Sequence, residues 1–264
     1  MHTGKPILVH GKPLGGGRFP AICAPLVGRT REQFLAETAL VVAKQPDLLE
    51  WRIDFFQDID QLDVVLSTAA QLRHAAGGIP ILLTRRSIKE GGEPIPLSEE
   101  DVVALLEAVC ASHSVDLVDF EMNNDPEHIA QVRAAAHAQG VGLVLSFHNF
   151  QSTPTQAELC QRFAQAQALG ADVAKIALMP QRLEDVLSVM GATLESSQKL
   201  TIPLISMSMG GYGALTRLFG STFGSALSFA VGAQSSAPGQ VPIEDLKTVL
   251  GILQNSIEPK GVTP

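Results

Sequence analysis

The run Val173-Ala174-Lys175-Ile176-Ala177-Leu178 sets one lysine in the middle of a stretch that otherwise reads as a buried β-strand. An ammonium buried without a partner costs several kcal/mol. Lys175 must therefore either pair with a carboxylate from a neighbouring strand or give up its proton. A neutral lysine is a nucleophile suited to forming a Schiff base with a carbonyl compound. Both readings stand at this level, because a structural ion pair satisfies a buried lysine equally well.

Outward from that strand, short β-like runs alternate with longer helical stretches. The β-like runs fall at 21–27, 48–53, 79–84, 117–121, 142–147, 173–178, 204–207 and 223–227. Helical patterns fall at 31–44, 59–76, 99–112, 127–138, 156–169, 183–197, a short one near 213–219, and a last one at 243–254. Strand followed by helix, eight times in about 250 residues, predicts an α/β fold closed as a (β/α)8 TIM barrel. An open doubly wound sheet is the alternative, but Val27-Gly28-Arg29-Thr30 after the first run lacks the G-x-G-x-x-G turn of a dinucleotide fold. The segment before it, with Gly15-Gly16-Gly17, predicts an N-terminal β-hairpin closing the barrel bottom. No internal repeat, low-complexity tract or linker interrupts the pattern. The expected organisation is one domain over 1–264, with a hairpin segment at 1–20 and a loop covering the site at 228–242.

The bulk numbers exclude several function classes. The chain of 264 residues is 45% hydrophobic, enough for a full core. Lys and Arg total only 19, unclustered, and the net charge is −8, which argues against a nucleic-acid partner. Cys23, Cys110 and Cys160 are odd in number and lie in apolar sequence, as buried thiols of a reducing compartment do; a cytoplasmic protein is expected. Pro6, His10, Pro13 and the glycines break up the N-terminal stretch, so no signal peptide is read there. No apolar run of about 18 residues occurs, and no membrane association is expected.

Catalytic groups of a barrel gather at the C-terminal strand ends. Glu50 and Arg52, two apart, face the same side of one strand, Arg85 and Arg86 close the next, and His148 follows the fifth. Together with Lys175 they converge on one face, although Glu50 with Arg52 also reads as a structural ion pair and a lone His148 as a satisfied polar histidine. A metal site is not expected: no H-x-H or H-E-x-x-H occurs, and no cysteines have ligand spacing. The glycines of Met209-Gly210-Gly211-Tyr212-Gly213 allow a phosphate site or plain turns, and Arg217 suits a carboxylate as well as a phosphate.

With those residues on the page, the chain resembles the type I 3-dehydroquinate dehydratases, the Schiff-base dehydratases of the shikimate pathway. Five ordered motifs carry the likeness: EWRID at 50–54, RSIKEGGE at 86–93, SFHNF at 146–150, AKIALMP at 174–180, and SMSMGGYGALTRLFGSTFGS from 206 followed by SAPGQ at 236–240. The resemblance implies syn elimination of water from 3-dehydroquinate, with Lys175 forming the imine, His148 as general acid and base, and Glu90 orienting His148. It implies that Arg217 clamps the substrate carboxylate and that Glu50, Arg52 and Arg86 hold ring hydroxyls. Ser236 and Gln240 would belong to a lid, and Met207, Met209 and Phe150 would bound the pocket, the methionines reading equally as core filling. It favours Arg86 over Arg85 as the pocket residue. No cofactor is implied, and the assembly would be a homodimer. In place of the serine that some relatives carry before Leu-x-Gly, this chain has Pro25. Two other functions remain open: a class I aldolase-like barrel, which breaks a carbon–carbon bond, and a silent barrel that binds a shikimate-type ligand.

Overall fold

A computed structural model of the chain describes residues 4–257. The outermost parts of the expected domain, 1–3 and 258–264, lie outside the described residues. A two-stranded antiparallel hairpin, β1 (Leu8–Val9) and β2 (Lys12–Pro13), comes first. Its turn needs left-handed backbone at His10 and Gly11, with φ of 48° and 74°, the pairing that suits a tight hairpin.

The barrel strands follow in order: β3 (Ala21–Leu26), β4 (Leu48–Arg52), β5 (Ile81–Thr84), β6 (Leu117–Glu121), β7 (Gly142–Asn149), β8 (Val173–Leu178), β9 (Leu204–Ser208) and β10 (Leu227–Val231). The helices α1 (Arg31–Val42), α2 (Leu62–Ala75), α3 (Glu99–Ala111), α4 (Pro126–Ala138), α5 (Gln156–Ala168), α6 (Leu183–Lys199), α7 (Gly210–Phe219) and α8 (Ile243–Ile257) alternate with them. Helix starts are set locally: Ser98 and Asp101, and Thr155 and Glu158, form reciprocal capping boxes on α3 and α5, each satisfying two backbone donors that the helix leaves unpaired.

Neighbouring strands pair in parallel from β10 through β3 and around to β9. The seam between β9 and β10 closes just ahead of β10, where Ala226 N donates to Leu204 O at 2.7 Å and Ser206 N donates to the Ser225 hydroxyl at 3.1 Å. The expected last strand at 223–227 is displaced: Gly220–Phe223 forms a 3-10 turn ended by Gly224 at φ 109°, so extended backbone resumes only at Leu227. The covering loop is correspondingly shorter than 228–242. Residues 228–231 belong to β10, and β11 (Val241–Pro242) adds in parallel to its edge, leaving 232–240 as the loop.

Strand alternation divides the interior into two cores. Outward residues such as Leu49, Trp51, Phe120, Leu145 and Ile176 pack against the helices, with Trp51 and Phe34 rings 4.9 Å apart. Inward residues form layers. The floor is apolar, built from Leu48, Leu82, Leu117, Val144, Val173, Ile205 and Leu227, and is sealed below by Ile7, Val9 and Leu14 of the hairpin segment. Asp47, Asp116 and Asp172, each just before a strand, accept the backbone N–H of Ile22, Ile81 and Leu143 at 2.7–2.8 Å, tying alternate strand starts to their neighbours. Above that floor, the second and third inward positions carry nearly all the charge.

Candidate active site

The second and third inward layers carry Glu50 and Arg52 of β4, Asp119 and Glu121 of β6, Ser146 and His148 of β7, and Lys175 and Ala177 of β8, with Ser146 in register with Glu121 on one side and Lys175 on the other. These layers open into a cavity at the C-terminal strand ends. All twelve residues singled out from the sequence border it: Lys175, His148, Glu90, Glu50, Arg52, Arg86, Arg217, Ser236, Gln240, Met207, Met209 and Phe150.

Lys175 is paired, as the first reading made of it requires. Its Nζ lies 2.8 Å from Asp119 Oδ2 and 3.7 Å from Glu50 Oε1, and 4.7 Å from the centre of the Phe229 ring, yet it also faces the cavity. Asp119 in turn accepts from Arg86 Nη2 and Ser146 Oγ, both at 2.6 Å. Burial alone would push the Asp119 carboxyl up, but the charges of Arg86 and Lys175 outweigh it and hold the group well below the usual carboxylate range.

His148 and Glu90 form a second unit. The His148 backbone N and ring Nδ1 approach Glu90 Oε2 at 2.9 and 3.0 Å, and Asn123 Nδ2 donates to Oε1 at 3.0 Å. Burial, reinforced by Arg86 and Lys175, keeps the imidazole neutral by pushing its pKa well below 6.5. Burial and the neighbouring Glu121 raise Glu90 to about 7. The 3.0 Å contact places one proton between the two heteroatoms, and when Glu90 is ionised that proton sits on Nδ1 and leaves the other ring nitrogen as a base. A sign follows for stability. A carboxyl raised on folding stabilises when protonated and loses that contribution as the pH climbs through its folded value. Relative to the parent, Glu90→Gln should therefore gain thermal stability as the pH is raised from about 4.5 to about 7, and the gain should level off above that. Thermal melts across that range check it; a gain that shrinks with rising pH contradicts the raised carboxyl.

The arginines take distinct places. Arg52 does not pair with Glu50. It forms a two-pronged ion pair with Asp54 at 2.8 and 2.9 Å and lies 5.0 Å from the Phe55 ring, while Glu50 accepts from Thr84 Oγ1 at 2.9 Å. Arg86 points inward and binds Asp119, Glu121 and Ser146, whereas Arg85 turns outward to Glu99 on α3. Arg217 differs from both. It is 3% exposed, donates to Met207 Sδ at 3.6 Å and Pro238 O at 3.2 Å, and leaves its Nε without a partner. Among the described residues it has no carboxylate partner, and burial lowers its pKa to about 10.

The loop at 232–240 covers this group. Gln240 Oε1 accepts from Ser236 N at 3.0 Å, its Nε2 donates to Ser236 Oγ at 3.2 Å, and Arg52 Nη1 reaches Ser236 O at 3.5 Å. Gly239, at φ 78°, brings the loop against Gly210, where a Cβ would stand 2.2 Å from the Gly210 carbonyl oxygen. Phe150 packs its ring edge on Gly91 at the cavity rim.

Reasoning from sequence passed over Asp119, Glu121, Ser146, Asp54, Asn123 and Phe229. A signal existed for the first two. Leu117-Val118-Asp119-Phe120-Glu121 repeats the alternation that drew attention to Glu50 and Arg52. Asn123 and Asp54 lie beyond strand ends, where no periodicity marks them.

A buried amine, a neutral imidazole and an anion-seeking guanidinium at the mouth of a (β/α)8 barrel define a lysine-centred barrel enzyme, equipped for imine chemistry on a small anionic carbonyl compound. Comparison with known proteins narrows that class. The profile of the family Type I 3-dehydroquinase matches residues 22–257. A 3-dehydroquinate dehydratase of Albidiferax ferrireducens is 57% identical over 264 residues, the full length of both chains. The crystal structure of 3-dehydroquinate dehydratase from Geobacillus kaustophilus superposes with a TM-score of 0.94 at 52% identity, covering 98% of this chain and 100% of that one. A type I 3-dehydroquinate dehydratase from Clostridium difficile, with covalent modified comenic acid, gives 0.90 at 36% identity over 96% of this chain and 99% of its own. The chain belongs to the type I 3-dehydroquinase family.

Proposed function

We propose that this chain dehydrates 3-dehydroquinate to 3-dehydroshikimate, the third step of the shikimate pathway, through an imine on Lys175. The observation that carries the reading is Arg217: a buried guanidinium without a carboxylate partner among the described residues, facing the same cavity as Lys175 and His148. A substrate with a ketone and a carboxylate on one ring meets both groups at once. Lys175 attacks the C3 ketone, and the carbonyl oxygen leaves as water. The protonated imine then draws electrons from the neighbouring C2–H bond. His148 takes that proton and delivers it to the C1 hydroxyl, which departs as water. Hydrolysis returns the first water's equivalent and frees the lysine, so the net loss is one water. Glu90 holds the imidazole in its working orientation, as a carboxylate does in other histidine-based sites. Glu50 and Arg52 reach ring hydroxyls. Arg86, engaged by Asp119, Glu121 and Ser146, sets the charge and geometry of the layer beneath. Met207 and Met209 exclude water beside the lysine.

An aldolase-like reaction uses the same lysine, but the His148–Glu90 unit beside the imine position suits elimination of a hydroxyl. A silent binder has no need of the nucleophile. In the same reading the enzyme works in the cytoplasm as a homodimer without a nucleic-acid partner. The net charge of −8 and three free thiols support the compartment and the absence of nucleic acid, and the family likeness supports the dimer.

The test is borohydride reduction in the presence of 3-dehydroquinate, followed by peptide mass mapping, with ultraviolet detection of the conjugated product in parallel. An adduct on the Lys175 peptide together with product supports the reading, and product without an adduct overturns the lysine mechanism. Arg217→Ala should act chiefly on binding. Losing a charge-assisted contact of about 1.5–3 kcal/mol should raise KM by about one to two orders of magnitude while kcat changes less. An unaltered KM contradicts the clamp.

A further inference from the structure

Asp119 stands on β6 and Lys175 on β8, with β7 between them, and small Ser146 on that middle strand leaves the way open. The two oxygens of Asp119 are used differently. Oδ1 takes both Arg86 Nη2 and Ser146 Oγ, which fixes the plane of the carboxylate, and Oδ2 is turned to Lys175 Nζ at 2.8 Å. Glu50, the other carboxylate near Nζ, is farther away at 3.7 Å and spends its near oxygen on Thr84. We propose that Asp119 is the fixed counter-ion of the Lys175 nitrogen throughout the reaction, pairing the ammonium at rest and the protonated imine once substrate is attached.

This rests on the imine reading above and deepens it. When an ammonium condenses with a ketone, the carbon–nitrogen double bond forms, two of the three N–H protons leave with the carbonyl oxygen as water, and one remains on a nitrogen that stays cationic. That last N–H has one near acceptor in place, Asp119 Oδ2. Keeping the proton on nitrogen is what makes the imine an electron sink, so the anion assists the elimination. The same anion holds the resting ammonium and so opposes the first attack. Asp119 therefore acts with opposite sign on the two steps, which a purely structural residue does not.

The experiment compares the parent and Asp119→Asn by pH profiles of kcat and kcat/KM, with borohydride trapping on both. In the folded variant the acid limb of kcat/KM should move to lower pH by about one unit or more, because the lysine deprotonates more readily, while plateau kcat falls about tenfold or more. A kcat loss with an unmoved limb, or no change in either, overturns the proposal. Should the variant not fold, the parent decides: in a crystal structure of its borohydride-trapped complex, Asp119 must lie within hydrogen-bond distance of Nζ, and a carboxylate turned away overturns it. Failure of the parent to form any adduct is a different result, which removes the imine reading itself.

Discussion

Replacing Lys175 with alanine should leave a folded protein that forms no borohydride-stable adduct with 3-dehydroquinate and whose kcat falls by about four orders of magnitude or more. Nothing else at the cavity can replace the amine, since Lys175 is the one lysine among the residues that border it. The fold should survive because Asp119 keeps Arg86 and Ser146 as partners. The thermal midpoint should nonetheless drop, since removing one member of a buried ion pair costs about 3 kcal/mol. Lys175→Met, which retains most of the volume, separates that cost from the cavity left by alanine. Steady-state ultraviolet assays and intact mass check the outcome. Turnover close to that of the parent by a folded variant, or an adduct on another lysine, removes the mechanism from Lys175.

The second large effect belongs to His148. In His148→Ala the amine is still present, so an adduct should form, though slowly, because in the proposed mechanism the imidazole also serves the proton transfers of imine formation. Elimination should stall, with kcat lower by about three to four orders of magnitude. Mass spectrometry separates the two steps. The species trapped on the variant should keep the C1 hydroxyl and so be heavier by one water than the dehydrated imine formed by the parent. Unchanged steady-state rates, or a dehydrated adduct formed at the parent's rate, take His148 out of its role. Glu90 bears on the same step, because it holds the ring through Nδ1 and the His148 backbone N–H.

Much of this site could be read before folding because a barrel strand is a simple object. Alternation with period two assigns each residue to the lumen or to the helices, and a charge at an inward position must be either paired or put to use. Glu50, Arg52, His148 and Lys175 were readable on that ground, and Asp119 and Glu121 could have been. Resemblance was needed for Glu90, because a residue in the 3-10 turn Ile88–Glu90 carries no periodic signal and would otherwise pass as solvated. The choice of Arg86 over Arg85 also came from resemblance. The structure gives its physical basis: Arg86 continues the inward series Leu82, Thr84, and Arg85 continues the outward one toward α3.

Local pattern alone sets the alternation of strand and helix, the gathering of charge at strand ends, and the type of chemistry open to a lumen lysine with a nearby histidine. These are local properties, set by side-chain periodicity and residue type. Which charges become partners emerges only on folding. Arg52 pairs with Asp54 instead of Glu50, Lys175 with Asp119 two strands away, and Arg217 with no carboxylate among the described residues. The last strand and the loop over the site were also placed by closure, since the seam to β9 is made through Ser225 and Ala226 and sets where β10 begins. Range accounts for the difference. An ion pair depends on distances of a few ångströms across the lumen between residues 33, 35 or 56 positions apart, as in Arg86–Asp119, Arg86–Glu121 and Asp119–Lys175, and no local pattern encodes which of several charges meet there.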